Sequence, residues 1–153
     1  MTPAPESLLK PVPGPRLRTL LRREESYGIH ALRVIAEQPG IGAAEVAEHL
    51  QIPPAYLAKV LSNLTKAGLV EARMGRKGGL WLRTDLSQLS LLAVIEALSG
   101  PVVMDTCQTK PRCATEQLKG HCRLKPVWLE STLQIRGLLD SYKLDQLLER
   151  GIP

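Results

Sequence analysis

Cys107, Cys113 and Cys122 are the only cysteines of the 153-residue chain, and they fall within sixteen consecutive residues. Three thiols on one segment can hold a metal or cluster, act as a redox switch, or form one disulfide with a thiol left over. From Cys107 to Lys125 the segment carries Lys110, Arg112, Lys119, Arg123 and Lys125 against one acid, Glu116. Positive neighbours favour the thiolate, the form that ligates and oxidises. The plainer reading is three reduced cysteines packed as small apolar groups, but a stretch so rich in charge, Pro and Gly makes a poor core. The gaps of five and eight residues exceed the roughly two to four usual between paired zinc ligands, and they do not match a ferredoxin run. Wide gaps suit a group larger than one ion, and soft thiolates favour iron–sulfur or zinc over magnesium or calcium. A cysteine nucleophile would want a positioned imidazole. His121, beside Cys122, is the only one nearby, and no pocket-forming pattern accompanies it; the chain does not read as an enzyme.

A second group of residues could bind DNA. Val46, Ala47 and Leu50 form one face of a short helix, about Ala43 to Leu50; Gln51-Ile52-Pro53 makes a turn; a further helix begins at Pro54, with Leu57, Val60, Leu61 and Leu64 as its inner face. Gly68 closes that helix. The period then becomes strand-like over Leu69–Arg73 and Gly79–Arg83, around the Gly-rich basic tip Met74-Gly75-Arg76-Lys77-Gly78. This order predicts a winged helix-turn-helix, in a fold that is mainly α with a small β-wing. The second helix of such a pair enters the major groove with its N-terminal residues on base edges. Here those residues are Pro54, Ala55, Tyr56 and Lys59, with Ser62 and Asn63 a turn further on. Arg73, Arg76 and Lys77 place positive charge on the wing, next to phosphates or in the minor groove. A helix pair alone would read as an ordinary solvated surface, and Tyr56 equally as a half-buried side chain capping the pair. The charged wing tips the balance toward DNA.

The elements around these residues follow from periodicity. Residues 1–15 contain five prolines and read as an extended, flexible arm. A helix is expected from about Arg16 to Glu37, ended by Gln38-Pro39-Gly40. After the wing, Asp85 or Ser87 leads into a helix over about Leu89–Leu98, stopped by Ser99-Gly100-Pro101. A long amphipathic helix over about Arg123–Tyr142 carries Leu124, Val127, Trp128, Ile135, Leu138 and Leu139 on one stripe, and a short helix, Leu144–Glu149, follows it. The net charge of +5 suits a polyanionic partner, although a basic protein binding DNA without sequence preference would share it. The absence of Phe disfavours single-strand binding by base stacking. No run approaches the roughly 18 apolar residues that span a bilayer, and the proline-broken N-terminus does not read as a signal peptide. The expectation is a soluble cytoplasmic protein with reduced thiols and no membrane partner.

Three stretches together resemble a known family. They are YGIHALRVIAE, the run AAEVAEHLQIPPAYLAKVLSNLTKAGLVEARMGRKGGLWL, and Trp128 followed by YKLDQLL near the end. With the three-cysteine loop, they are similar to the IscR/NsrR-type winged-helix transcription regulators of bacteria, over about residues 20–150. The resemblance implies a homodimer that binds a double-stranded DNA operator as repressor or activator. It also implies a two-iron or four-iron sulfur cluster on Cys107, Cys113 and Cys122 that senses iron–sulfur status, nitric oxide or redox state. The chain is expected to divide into a flexible arm (1–15), which is extra to the family pattern, a winged helix-turn-helix domain (16–100), a sensor loop (101–122) and a dimerisation helix with a C-terminal helix (123–153). The chain departs from the family pattern at several positions. Lys125 stands where some members have a histidine ligand, and Ser26 where others have an acid donated by the partner subunit. The fourth ligand is left among Glu25, His30 and His121. Met74 replaces a wing arginine of some members, and the gap between Cys113 and Cys122 is longer than in the commonest ones. The same DNA-binding regulator without a cluster, using a thiol–disulfide switch or a structural zinc, is the alternative.

Overall fold

A computed structural model describes residues 18–148, so the expected arm (1–15) and Glu149 at the end of the last helix lie outside the described residues. The first helix, α1 (Arg23–Glu37), starts later than its periodicity suggested. The Glu25 carboxylate turns back to accept the Arg22 backbone N–H at 2.8 Å. It thereby satisfies a donor that the helix itself leaves open and fixes the start there. Ala31, Leu32 and Ile35 on its inner face are fully buried.

The next two helices, α2 (Ala43–Leu50) and α3 (Pro54–Lys66), have the expected bounds. Gln51 ends α2 in a left-handed conformation, φ 53°, which swings Ile52 into the core and lets Pro54 open α3. At the far end, Gly68 adopts φ +75°. The Gly68 N–H then reaches the Thr65 carbonyl, and the Leu69 N–H reaches the Leu64 carbonyl, both at 3.0 Å. This double closure stops the helix and turns the chain directly into the wing.

The wing pairs β1 (Val70–Arg73) with β2 (Gly79–Leu82) antiparallel, in the register Val70↔Leu82 to Arg73↔Gly79. A single bridge, Ile41↔Leu80, attaches it to the α1–α2 connection. There the Gly40 N–H donates to the Leu80 carbonyl and the Leu80 N–H to the Ile41 carbonyl, both at 2.8 Å. Gly79 is required at this seam. Its φ is +130°, and a Cβ there would collide with the Gly40 carbonyl. The core gathers Val46, Leu57, Val60, Leu64, Val70, Leu80 and Val94 around α1; each such side chain contributes about 1.5–3 kcal/mol by leaving water.

Beyond the wing the chain differs in detail from its reading. Asp85 caps a single 3-10 turn, Leu86–Gln88, by accepting the Ser87 N–H at 2.9 Å. The following helix, α4 (Leu91–Ser99), is capped instead by Ser90, whose hydroxyl accepts the Ala93 N–H at 3.1 Å and donates to Asp140 at 2.7 Å. The cysteine segment, expected to be a loop, contains a 3-10 turn at Thr106–Thr109 and a short helix, α5 (Ala114–Lys119). The long helix α6 (Leu124–Ser141) follows, and α7 (Leu144–Leu148) closes the described chain. The Leu91 N–H bonds the Tyr142 carbonyl and the Leu144 N–H bonds the Leu89 carbonyl, so the end of α6 is stitched to the start of α4. No helix among the described residues is long and apolar enough to cross a membrane.

Candidate functional site

Two sets of residues carry chemistry, and the fold places them on different elements. On α3, Pro54, Ala55, Ala58, Lys59 and Ser62 are exposed, while Leu57, Val60, Leu61 and Leu64 are buried. The helix therefore shows one polar, groove-sized face. Tyr56 is half-buried, and its ring packs edge-on against Tyr27 of α1 with centroids 5.7 Å apart. Arg76 and Lys77 stand exposed at the wing tip with no ion pair among the described residues. Arg73 is different. Its guanidinium lies 4.4 Å over the Trp81 ring, and its Nε donates to the Glu71 carboxylate at 2.6 Å. Its charge is thus partly engaged within the wing itself.

Sequence reading missed one contact of this face. Glu24, in the first turn of α1, accepts a short hydrogen bond from the Asn63 side-chain amide and lies 4.0 Å from the Lys59 ammonium. Glu24 and Asn63 are 39 positions apart, so no local pattern could have paired them.

The cysteine set sits on the segment between α4 and α6. All three thiols are half-buried and none is in a disulfide. Cys107 is within electrostatic reach of both Cys113 and Cys122, yet among the described residues no three His, Cys, Asp or Glu side chains converge closely enough to hold a single metal ion. The Cys107 thiol corrects the expectation of easy ionisation. Burial pushes it up from the ordinary cysteine value, and its hydrogen bond and proximity to Asp105 add to that, followed by the other two thiols. Asp105 also accepts the Cys107 backbone N–H at 2.8 Å, a bond that holds the Asp105 carboxyl below the usual carboxylate range. The nearby cation meant to offset this is engaged elsewhere. Lys125 Nζ donates to both Glu116 oxygens, at 3.1 and 3.3 Å, and to the Lys110 carbonyl at 3.0 Å.

Side chains of α6 organise the segment. Thr132, the one buried residue of α6, accepts the Met104 N–H at 2.8 Å and donates to Gln108 at 2.9 Å. Arg136 pairs with Glu96 of α4, and Glu96 in turn accepts the Val102 N–H at 3.0 Å. Glu116 also accepts the Cys113 N–H at 3.2 Å. That bond, and then Lys125, keeps the Glu116 carboxyl below its ordinary range. The three candidates for a fourth ligand are placed differently. Glu25 is buried and lines a groove of about 520 Å³ with Met104, Asp105 and Thr106, immediately before Cys107. His30 is exposed on α1. His121 is exposed as well, with its Nδ1 3.1 Å from the Lys119 carbonyl.

Comparison with known proteins identifies the class. Residues 21–150 match the family described as Rrf2: Iron-dependent Transcriptional regulator, and the chain belongs to that family. The chain is 30% identical over 125 residues to the HTH-type transcriptional regulator IscR of Serratia proteamaculans, covering 80% of this chain and 74% of that one. To the HTH-type transcriptional repressor NsrR of Streptomyces coelicolor it is 32% identical over 109 residues, 71% of each chain. The solved structure of CymR, titled the global cysteine regulator of Bacillus subtilis, superposes with a TM-score of 0.67 at 20% identity, over 90% of this chain and all of that one. The protein is thus a DNA-binding transcription regulator of winged helix-turn-helix fold and not an enzyme.

Proposed function

We propose that the protein is a cytoplasmic homodimer that binds a double-stranded operator and senses redox state, nitric oxide or iron–sulfur status through a cluster on Cys107, Cys113 and Cys122. The observation that carries this reading is the set of three unpaired, half-buried thiols on a segment bonded directly to α6. Soft thiolate donors suit iron–sulfur chemistry. The gaps of five and eight residues between them suit a group of several atoms better than a single zinc ion. Bound there, the cluster supplies an iron–sulfur centre open to oxidation and nitrosylation. Glu25 is the favoured fourth ligand, because it shares a groove with the residues leading into Cys107. The raised Cys107 thiol ionises on ligation, so cluster assembly would release its proton.

On the DNA side, Pro54, Ala55, Tyr56 and Lys59 would face the major groove, with Arg76 and Lys77 of the wing on phosphates. Arg73 braces the wing from its place over Trp81. The apolar side chains left in solvent on α6, such as Leu133 (65% exposed) and Leu138 (60%), supply the surface a second copy would cover.

Anaerobic purification tests the reading. Coloured protein with iron and sulfide in comparable amounts is expected, and Cys107→Ala should lose both. Colourless protein that takes up no iron on reconstitution overturns the cluster. Zinc in the metal analysis, or a two-proton mass loss under non-reducing conditions, would then separate the structural-zinc and disulfide-switch forms.

A further inference from the structure

We infer that Glu24 is a specificity-determining residue of this regulator: it occupies Lys59 and Asn63 of the recognition helix and so lowers affinity for DNA of arbitrary sequence. Three observations support this. Glu24 comes from α1, outside the recognition helix, yet its carboxylate reaches both side chains, which stand one helical turn apart on α3. The carboxylate is largely enclosed, its side chain 20% exposed, whereas Lys59 is 67% exposed. The acid is therefore a fixed element and the lysine the part free to move. Finally, the face concerned is the one the family presents to a polyanion, where a carboxylate is electrostatically unfavourable.

The consequence for binding follows from counterion release. Each phosphate neutralised by a lysine steepens the salt dependence of affinity by about 0.9 in log–log slope. A lysine held by a protein carboxylate contributes less to that term. Nonspecific binding consists almost wholly of such contacts and loses most from it. A true operator, read also through base edges, loses proportionately less. An ion pair whose lysine is this exposed is weak, so an operator that offers Lys59 a well-placed phosphate or guanine can draw it away from Glu24. The Asn63 amide donates its N–H to Glu24, which leaves its carbonyl oxygen as the acceptor available to a cytosine or adenine amino group.

The test uses the full chain, prepared identically for all variants, with fluorescence anisotropy on two duplexes. One is a random-sequence duplex of about 30 base pairs, the other a duplex enriched by selection on the wild-type protein; binding is followed across a salt series. Glu24→Gln removes the charge but keeps an oxygen to accept the Asn63 amide. It should bind the random duplex about 5- to 10-fold more tightly at low salt, with a slope steeper by about one unit, and the selected-to-random affinity ratio should shrink. Unchanged or weaker random-duplex binding, or an unchanged ratio, overturns the inference. In a Lys59→Met background the Glu24→Gln effect should vanish; if it persists in full, the carboxylate acts by repelling phosphate directly and the Lys59 link is wrong. The premise that Lys59 faces DNA is read separately: Lys59→Met alone should weaken binding to the selected duplex, and unchanged affinity for both duplexes overturns that premise. Matching thermal midpoints establish that the variants are folded.

Discussion

Gln51 carries the only left-handed backbone of any non-glycine side chain among the described residues. An L-residue pays conformational energy to stand there, and the return is geometric: the chain reverses in one residue, Ile52 is buried, and Pro54 can begin α3. A β-branched replacement tolerates this conformation worst. Gln51→Val is expected to lower unfolding free energy by about 1–2 kcal/mol, whereas Gln51→Gly should stay within about 0.5 kcal/mol of the parent or exceed it, since relief of strain offsets the freer unfolded chain. Urea denaturation of the three proteins measures both. Because the same residue sets the angle between α2 and α3, the valine variant should also bind DNA more weakly than its lost stability explains.

Lys125 acts on whole elements. Its ammonium collects the Lys110 carbonyl and the Glu116 carboxylate, tying the turn after Cys107 and the helix after Cys113 to the first turn of α6. Lys125→Met keeps the aliphatic stem and removes the donor. Amide hydrogen exchange should accelerate about tenfold or more over residues 110–120 and stay unchanged over residues 31–35 of α1; equal exchange in both variants would mean that the segment is held by other means. This is also where sequence reading fell short. Helices α2 and α3 were legible because Pro54 and Gly68 mark their ends and their apolar faces repeat cleanly. The start of α1 was not, because Arg22 is no recognisable cap and the closure comes from Glu25 reaching backwards. The small helices of the cysteine segment are too short for periodicity to register. Lys125 was read as one of the positive neighbours of the thiols and as a replacement for a histidine ligand, and its part as a clamp depends on a carbonyl fifteen residues away. The upward push on the Cys107 thiol was missed for a similar reason: charges counted along the sequence revealed neither its burial nor that Asp105 is its bonded neighbour.

At the scale of the molecule, Leu124, Val127, Leu133 and Leu138 of α6 stay more than half exposed among the described residues. Leu133→Arg, a change at a side chain 65% exposed, should leave the thermal midpoint of the monomer nearly unchanged. Under the proposed homodimer it should shift sedimentation to the monomer mass and weaken operator binding about tenfold or more, since two half-sites would no longer act together; unchanged sedimentation would rule this surface out as the interface. The attachments of α6 are unevenly distributed along it. From its middle onward it is fastened through Thr132, Arg136 and Asp140, with Tyr142 just beyond its end, to α4 and to the segment from Val102 to Gln108, while among the described residues its first turn is bonded through Lys125 to Lys110 and Glu116. In mechanical terms α6 is a cantilever: its root is built against α4, and its free end adjoins Cys122 and, through Lys125, the helix that follows Cys113. A beam held this way deflects where it is loaded and transmits torque to where it is fixed, so small displacements at Cys113 or Cys122 would reach the wing domain as leverage, without any change in the wing's own packing.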